Sequence, residues 1–282
     1  MYLIVGATGN VGSEVVGQLL AAQKQVRVFT RDASKVSHLK GPIEVAVGDL
    51  MQADTFARAV AGVEGVFLMN GPLEGEAFRR LIAQAKASGN PRVVFLSTLF
   101  AAYPDSLVGE LHKDKEDVIR ASGLPHSFVR AGNFMTNTFQ WLETIKSEGV
   151  VYNATGDAKT APVAPQDIAA VAVQALTKPD TPEGFEVLEV TGGELLTVPE
   201  QAGIVSRVTG RPIRVVEINS EQAEQGLLKA GLPSFMAKAV AGCYEEIRNG
   251  KVAFVRDAVQ NAKGSLPVTY ADWVESQRTQ LA

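Results

Sequence analysis

The first half of the chain alternates two periodicities, and that alternation constrains the fold more than any other feature. Short runs rich in β-branched residues recur at 2–5, 26–30, 43–47, 65–69, 92–97 and 126–129. Each is brief and largely apolar, the pattern of a strand buried on both faces. Between them lie longer segments with helical spacing of apolar residues, at 10–23, 53–60, 74–88 and 109–121. Strands alternating with helices of this length form right-handed βαβ units, which stack into a parallel sheet with helices on both faces. The expected class is α/β, with a doubly wound parallel sheet.

After Arg130 the rhythm changes. Residues 133–147 read as a helix and 150–164 as an irregular stretch rich in Gly, Pro and Thr. Pro165-Gln166-Asp167 opens a helix over 168–176, with Asp167 suited to its first turn, and 185–190 is strand-like. Thr197 and Glu200 have capping-box spacing for a helix ending at Gly210. A strand at 213–216 and helices near 220–230, 234–249 and 270–279 complete the chain. These segments predict a second, smaller α/β lobe from about 131–165 plus 191–282. The helix near 168 and the strand near 187 return to a first domain of 1–130 plus about 166–190.

Charge and composition exclude several partners. The 282 residues carry 27 Lys+Arg against 31 Asp+Glu, a formal net charge of −4, with no basic stripe, so no nucleic acid is expected. The densest cationic cluster, 113–120, is interrupted by Asp114, Glu116 and Asp117 and reads as a solvated helix face. A lone cysteine, Cys243, forbids an internal disulfide, and with three scattered histidines it makes no zinc cluster, so no metal is expected. The opening MYLIVGATGN has no basic segment, and no stretch reaches the ~20 apolar residues of a membrane span. Neither a signal peptide nor a membrane partner is expected, and the expected compartment is the cytoplasm.

The sharpest local signal is Gly6-Ala7-Thr8-Gly9-Asn10-Val11-Gly12, placed directly between the first strand and the first helix. Glycines at this spacing allow a tight turn, close approach of backbone amides to a pyrophosphate, and close packing of helix on strand. The helix N-terminus adds unpaired N–H groups and partial positive charge. The alternative is a tight turn with no ligand, but the strand–turn–helix context is the one that dinucleotide binding requires. The second strand ends Phe29-Thr30-Arg31. A guanidinium there, with Lys35 a helical turn on, suits a ribose 2′-phosphate and favours NADP(H), without excluding NAD(H). The alternatives are two solvated cations, or Asp32 turning back toward a ribose.

Two further loops follow strand ends, where ligands of such sheets bind. Asp49, followed by Leu50, either accepts from an adenine amino group or caps the helix beginning at Ala53. Asn70-Gly71-Pro72 either runs under the cofactor's ribose and nicotinamide or is a plain turn.

Together these residues resemble the short-chain dehydrogenase/reductase superfamily, and within it the atypical NmrA-like branch. The resemblance covers most of the chain. It rests on GATGNVG at 6–12, TRDASK at 30–35, GDL at 48–50, HKDKEDVIRASGLPHSFVRAGNF at 112–134 and APQDIAAVA at 164–172. The first motif is shared by the whole superfamily; the third to fifth, in this order, are more specific to the branch. The resemblance implies a Rossmann sheet and a member of a group that includes NADPH-dependent quinone reductases, a triphenylmethane dye reductase and catalytically silent NADP(H)-sensing regulators. A monomer and a homodimer are both compatible with it.

Ordinary superfamily members use a Tyr-x-x-x-Lys pair, with the lysine eleven residues before the glycine of an A-S-G-L-P segment. That glycine is Gly123 here, so His112 takes the lysine's place and Val108 the tyrosine's; Tyr103, the nearest tyrosine, lies five residues too early in an expected loop. The resemblance implies that His112 bonds the nicotinamide ribose, the alternative being a surface pairing with Glu116 one turn on. Ser97 and Thr98 are left to offer a hydroxyl near the cofactor and substrate. The expected acceptor pocket has Met69 and Phe100 on the sheet side and Gly132, Asn133, Phe134 and Asn137 after the sixth strand; Phe134, Met135 and Phe139 are alternatively core. His112 and Asn133 are the residues expected at the reacting end. Two readings of function follow: an NADP(H)-dependent reductase of a quinone or other flat electrophile, or a silent NADP(H) sensor that binds a partner protein. An epimerase-like enzyme is disfavoured because the Tyr-x-x-x-Lys pair is lacking.

Overall fold

The computed structural model describes residues 1–71, 73–178 and 185–282. The chain opens with β1 (Tyr2–Val5), α1 (Asn10–Ala21), β2 (Val26–Thr30), β3 (Ile43–Val47), α2 (Ala53–Val60), β4 (Gly65–Met69) and α3 (Gly75–Ala87). It continues with β5 (Arg92–Thr98), α4 (Leu107–Ser122), β6 (His126–Ala131), α5 (Leu142–Glu148), β7 (Val150–Asn153), α6 (Pro165–Thr177) and β8 (Phe185–Val190). The remainder is α7 (Val198–Thr209), β9 (Arg214–Glu217), α8 (Ser220–Lys229), α9 (Ser234–Arg248), α10 (Ala258–Lys263), α11 (Tyr270–Ser276) and α12 (Arg278–Leu281).

By contact the chain divides into two compact units. The first comprises Met1–Thr98, Leu111–Arg130 and Pro165–Glu189. Its seven-stranded sheet has the order β3-β2-β1-β4-β5-β6-β8, and β1 pairs in parallel with both β2 and β4. The mostly parallel, doubly wound architecture predicted from the alternation is what the sheet shows. Strand order reverses between β1 and β4, so the crevice for a ligand opens beyond the carboxyl ends of those two strands. One face buries Leu3, Val66, Val93, Phe95 and Phe128 under Phe56, Phe78, Ile82 and Ile119 of the α2, α3 and α4 helices. Buried residues of α1 and α6, among them Val15, Leu19, Ile168 and Val171, cover the other. There Gln18 Nε2 donates to the Gln166 carbonyl at 2.9 Å. One expectation fails: β3, read as a buried strand, is the sheet edge, with Val45 and Val47 exposed. A β-branched run looks the same whether or not a neighbour later covers it.

The second unit comprises Leu99–Glu110, Ala131–Ala164 and Val190–Ala282. Its core gathers Met135, Ile145, Val151, Val205, Tyr270 and Trp273. The stretch read as irregular holds β7, which pairs in parallel with β9. That strand is only four residues long and Tyr152 is exposed, so its run was too short to stand out. The segment 133–147 is a 3-10 turn (Met135–Trp141) followed by α5 rather than one helix. The expected helix at 270–279 breaks at Gln277 into α11 and α12, and α10 had no expectation behind it. The Thr197 capping box is present, with Glu200 N donating to Thr197 Oγ1 at 3.2 Å and Thr197 N donating to Glu200 Oε2 at 2.8 Å. Leu99–Glu110, expected in the first domain, groups here because Leu99 packs with Ile247 and Val252, and the Tyr103 hydroxyl donates to the Lys251 carbonyl. Among the described residues no helix is long and apolar enough to cross a membrane.

Candidate dinucleotide site

The turn leaving β1 is built from three glycines with three separate reasons. Gly6 takes a positive φ of 80°, which lets the chain reverse, and a side chain there would collide with the Met69 thioether. The Gly9 amide donates to the Gly6 carbonyl at 2.9 Å and closes the turn. At Gly12, the first full turn of α1 lies so close that a Cβ would overlap the Gly6 carbonyl oxygen. Gly9 is different. It has an ordinary extended φ of −85° as N-cap of α1, and a Cβ there would meet nothing nearer than the Gly6 oxygen at 3.3 Å. The fold itself needs only a few tenths of an ångström to accept a side chain at Gly9. No side chain caps this helix start, so the amides of Asn10, Val11 and Gly12 keep their capacity for an outside acceptor. Thr8 and Asn10 are exposed on the same turn. This cradle fits the pyrophosphate of a dinucleotide.

Beyond β2 the Asp32 carboxylate turns into its own chain. Its Oδ1 accepts from Ser34 N at 2.9 Å and from Ser34 Oγ at 2.7 Å, capping the short 3-10 turn Ala33–Val36. Those bonds, with help from the Lys35 charge, hold this carboxyl below its ordinary range. Of the readings open for Asp32, the structure shows its Oδ1 engaged by the local turn rather than turned toward a ribose. Among the described residues no hydrogen bond or ion pair engages the exposed Arg31 side chain, and Lys35 is exposed on the following turn. The two cations suit a phosphate.

After β3, Asp49 does not cap α2, whose N-cap is Gln52. It instead accepts from Met51 N at 3.0 Å through Oδ1, while its carbonyl accepts from Thr55 Oγ1 at 2.8 Å. Leu50 is half-buried against the core. After β4, the Asn70 side-chain oxygen and the Gly71 carbonyl both accept from Lys115 Nζ, the latter at 2.8 Å. Pro72 lies outside the described residues.

The inner face of α4 corrects the reading of 113–120 as solvated, which holds for Asp114, Asp117 and Arg120 but not for Lys115 and Glu116. Lys115 is 4% exposed and Glu116 fully buried. Glu116 accepts from Arg130 at the end of β6 through two bonds, Nε to Oε1 at 2.8 Å and Nη2 to Oε2 at 2.5 Å. The Ser97 hydroxyl donates to the same Oε1 at 2.7 Å. Ser97 is therefore corrected from a cofactor donor to a buried member of this cluster, its proton already committed. The bond to Glu116 raises the Arg130 pKa, and burial lowers that of Lys115. His112, one turn before Glu116, is half-buried with its ring 6.3 Å from that of Phe95. Lys115 and Arg130 were not singled out by the sequence, and Glu116 only as a surface partner for His112, whereas it is buried. Their only signal is the helical spacing that puts 112, 115 and 116 on one face.

In the second unit, Asn137 Nδ2 donates to Asn133 Oδ1 at 2.6 Å, and the Asn133 carbonyl accepts from Val163 N at 2.8 Å. Met135 is core and Phe139 packs against it, as the alternative reading had it, while Phe134 is half-buried. Phe100 packs beside Leu99 and Tyr103, and a Cβ on Gly132 would press on Leu99 at 3.2 Å. Met69, expected to line the acceptor pocket, rests its sulfur over Gly6 in the first unit.

Residues 6–179 match the NAD(P)H-binding family. The chain is 35% identical to the NAD(P)H azoreductase of Xenophilus azovorans, over 98% of this chain and 97% of the relative. It is 37% identical to the (4-alkanoyl-5-oxo-2,5-dihydrofuran-3-yl)methyl phosphate reductase of Streptomyces griseus, over 97% of this chain and 96% of the relative. In fold it is similar to the NADPH-dependent quinone oxidoreductase of Escherichia coli complexed with NADPH, with a TM-score of 0.87 at 23% identity, covering 98% of this chain and 99% of that one. The chain accordingly belongs to the NAD(P)H-binding family, as an NAD(P)H-dependent oxidoreductase of the NmrA-like, atypical short-chain dehydrogenase/reductase branch.

Proposed function

We propose that the protein is an NADP(H)-preferring reductase of flat, conjugated electrophiles such as quinones, and that it works without a protein proton donor at the reacting carbon. The observation that carries this reading is the reacting face of α4, where Val108 and His112 occupy the positions of the tyrosine and lysine. The Tyr103 hydroxyl, the nearest substitute, is spent on the Lys251 carbonyl. An alcohol must lose its proton to a placed base as hydride leaves, and such a base is worth ~10²–10⁴-fold. Hydride addition to a quinone has no such need at the carbon attacked, since water protonates the product oxygen afterwards.

Bound NADPH supplies the hydride. The turn at 6–12 holds its pyrophosphate through backbone amides, Arg31 and Lys35 hold the 2′-phosphate, and His112 holds the nicotinamide ribose. The chain's own contribution is positioning, which is worth several kcal/mol of a barrier when the reacting atoms are held in line. The named reactions of the two curated relatives, on an azo compound and on a dihydrofuranone phosphate, also put electrons into planar conjugated systems. The test is steady-state oxidation of NADPH and NADH against a panel of quinones, azo dyes, triphenylmethane dyes and butenolides, with secondary alcohols and NADP as the reverse control. Turnover is expected with at least one planar acceptor and none with alcohols. Robust alcohol oxidation would overturn the reading. Tight NADPH binding with no turnover on any acceptor would replace it by the sensor.

A further inference from the structure

Lys115 is the least expected charge in the first unit. Its side chain is 4% exposed, yet the groups it contacts are neutral: the Asn70 side-chain oxygen, the Gly71 carbonyl at 2.8 Å, and the Phe78 ring at 5.8 Å. Burying an ammonium costs free energy unless its donors are well satisfied. Here burial does depress its pKa, and the charge of Glu74 opposes the shift only in part. Both hydrogen-bond acceptors belong to one short loop, the one leaving β4 beside the strand-order reversal. Asn70 itself is exposed, so the loop would be free to satisfy these oxygens with water. A buried cation is thus spent on fixing two residues that have no folding reason to be fixed. Glu116, the next residue of α4, ties the same helix to the ends of β5 and β6 through Ser97 and Arg130. The helix is braced on one side and holds the β4 loop on the other.

We propose that Lys115 is a positioning residue that fixes the Asn70-Gly71 loop as the floor for the nicotinamide half of the cofactor, leaving the adenosine half untouched. The inference rests on the proposed binding of NADP(H) across this crevice. A lysine suits the task because one ammonium can direct separate donors to an amide oxygen and a backbone carbonyl on the same loop. Charge-assisted bonds of this kind are the stronger class, so the loop is held more firmly than by a neutral side chain.

The experiment compares Lys115→Met and Lys115→Arg with the parent protein, using NADPH and adenosine 2′,5′-bisphosphate as separate probes. The bisphosphate carries the adenosine and 2′-phosphate groups without the nicotinamide. Lys115→Met is expected to raise the Kd for NADPH about tenfold, the scale of a lost charge-assisted anchor, and to leave the bisphosphate Kd within about twofold. The kcat with a saturating quinone should fall along with it, and Lys115→Arg should restore part of both. Equal weakening of both probes, or of neither, would overturn the proposal. If Lys115→Met lowers the melting temperature so far that binding cannot be read, the milder Lys115→Arg and Asn70→Ala carry the test: each should weaken NADPH and spare the bisphosphate. A parent protein that bound neither probe would instead refute the underlying cofactor reading.

Discussion

The glycine turn at 6–12 and the inner face of α4 are built in opposite ways. In the turn, three glycines leave the backbone bare, and the amides at the start of α1 have no side-chain cap. On α4 three polar side chains make the contacts: Lys115 to the β4 loop, Glu116 to Arg130 and Ser97, and His112 beside Phe95. The first design is rigid because a side chain at Gly6 or Gly12 would collide. The second is rigid because charges are buried and must keep their partners. The turn should therefore fail by gaining atoms, and the helix face by losing them.

The largest effect on cofactor affinity is expected within the turn. Gly9→Val should fold with a stability within about 1 kcal/mol of the parent, yet lose NADPH affinity by more than about a hundredfold, or ~2.7 kcal/mol. Gly12→Ala should do the reverse, losing about 3 kcal/mol of stability, the upper end of overpacking costs, because its Cβ would overlap the Gly6 oxygen. Calorimetry and titration of the two variants side by side check this. If Gly9→Val bound NADPH normally, the open space above Gly9 would have no ligand to explain it.

The largest effect on stability belongs to α4. Glu116→Leu leaves the guanidinium of Arg130 half-buried without its carboxylate and should cost about 3–5 kcal/mol in urea unfolding. Glu116→Leu combined with Arg130→Met should recover most of that loss, since the uncompensated charge is gone. A single variant as stable as the parent would mean the cluster is wetter than its burial indicates.

A smaller effect separates the two cofactors. Arg31→Ala should weaken NADPH by about 1.5–3 kcal/mol, the range for a hydrogen bond to a charged group, and leave NADH nearly unchanged. Asp32 cannot stand in, because its ionised carboxylate would repel the phosphate. Equal losses for both cofactors would show that Arg31 supports the turn rather than a 2′-phosphate.

The same contrast explains what was legible in the sequence. Glycine spacing, strand–helix alternation and the Thr197–Glu200 capping box are local, so β1 through β6 and the turn could be read from neighbours along the chain. Lys115 and Glu116 look like any charged pair on a solvated helix until tertiary packing supplies Asn70, Ser97 and Arg130 from 14 to 45 residues away. Ser97 was misjudged for the same reason: a hydroxyl at a strand end looks available until a buried carboxylate claims it. Asp49 and Asp32 were ambiguous because a short carboxylate has several backbone amides within reach, and only the turn geometry chooses among them. β7 escaped because four residues carry too little pattern to mark a strand.

The smallest expected effect tests whether His112 belongs with the positioning side chains or with chemistry. As a donor to the nicotinamide ribose, it would contribute one ordinary hydrogen bond, so His112→Ala should lower kcat/KM for a quinone by about tenfold, ~1.4 kcal/mol. His112→Asn keeps a donor and should recover part of the loss. The primary isotope effect with deuterated NADPH should persist in both variants, because the hydride step remains while its alignment worsens. Replacing water by deuterium oxide should change neither the parent nor the variants appreciably if no protein group moves a proton in that step. His112→Lys restores one half of the missing pair, but Val108 still stands where the hydroxyl is required, so alcohol oxidation should stay absent. A loss beyond about a thousandfold in His112→Ala, with a solvent isotope effect in the parent that the variant lacks, would make His112 a proton donor. The helix face would then hold the chemistry that its missing tyrosine argues against.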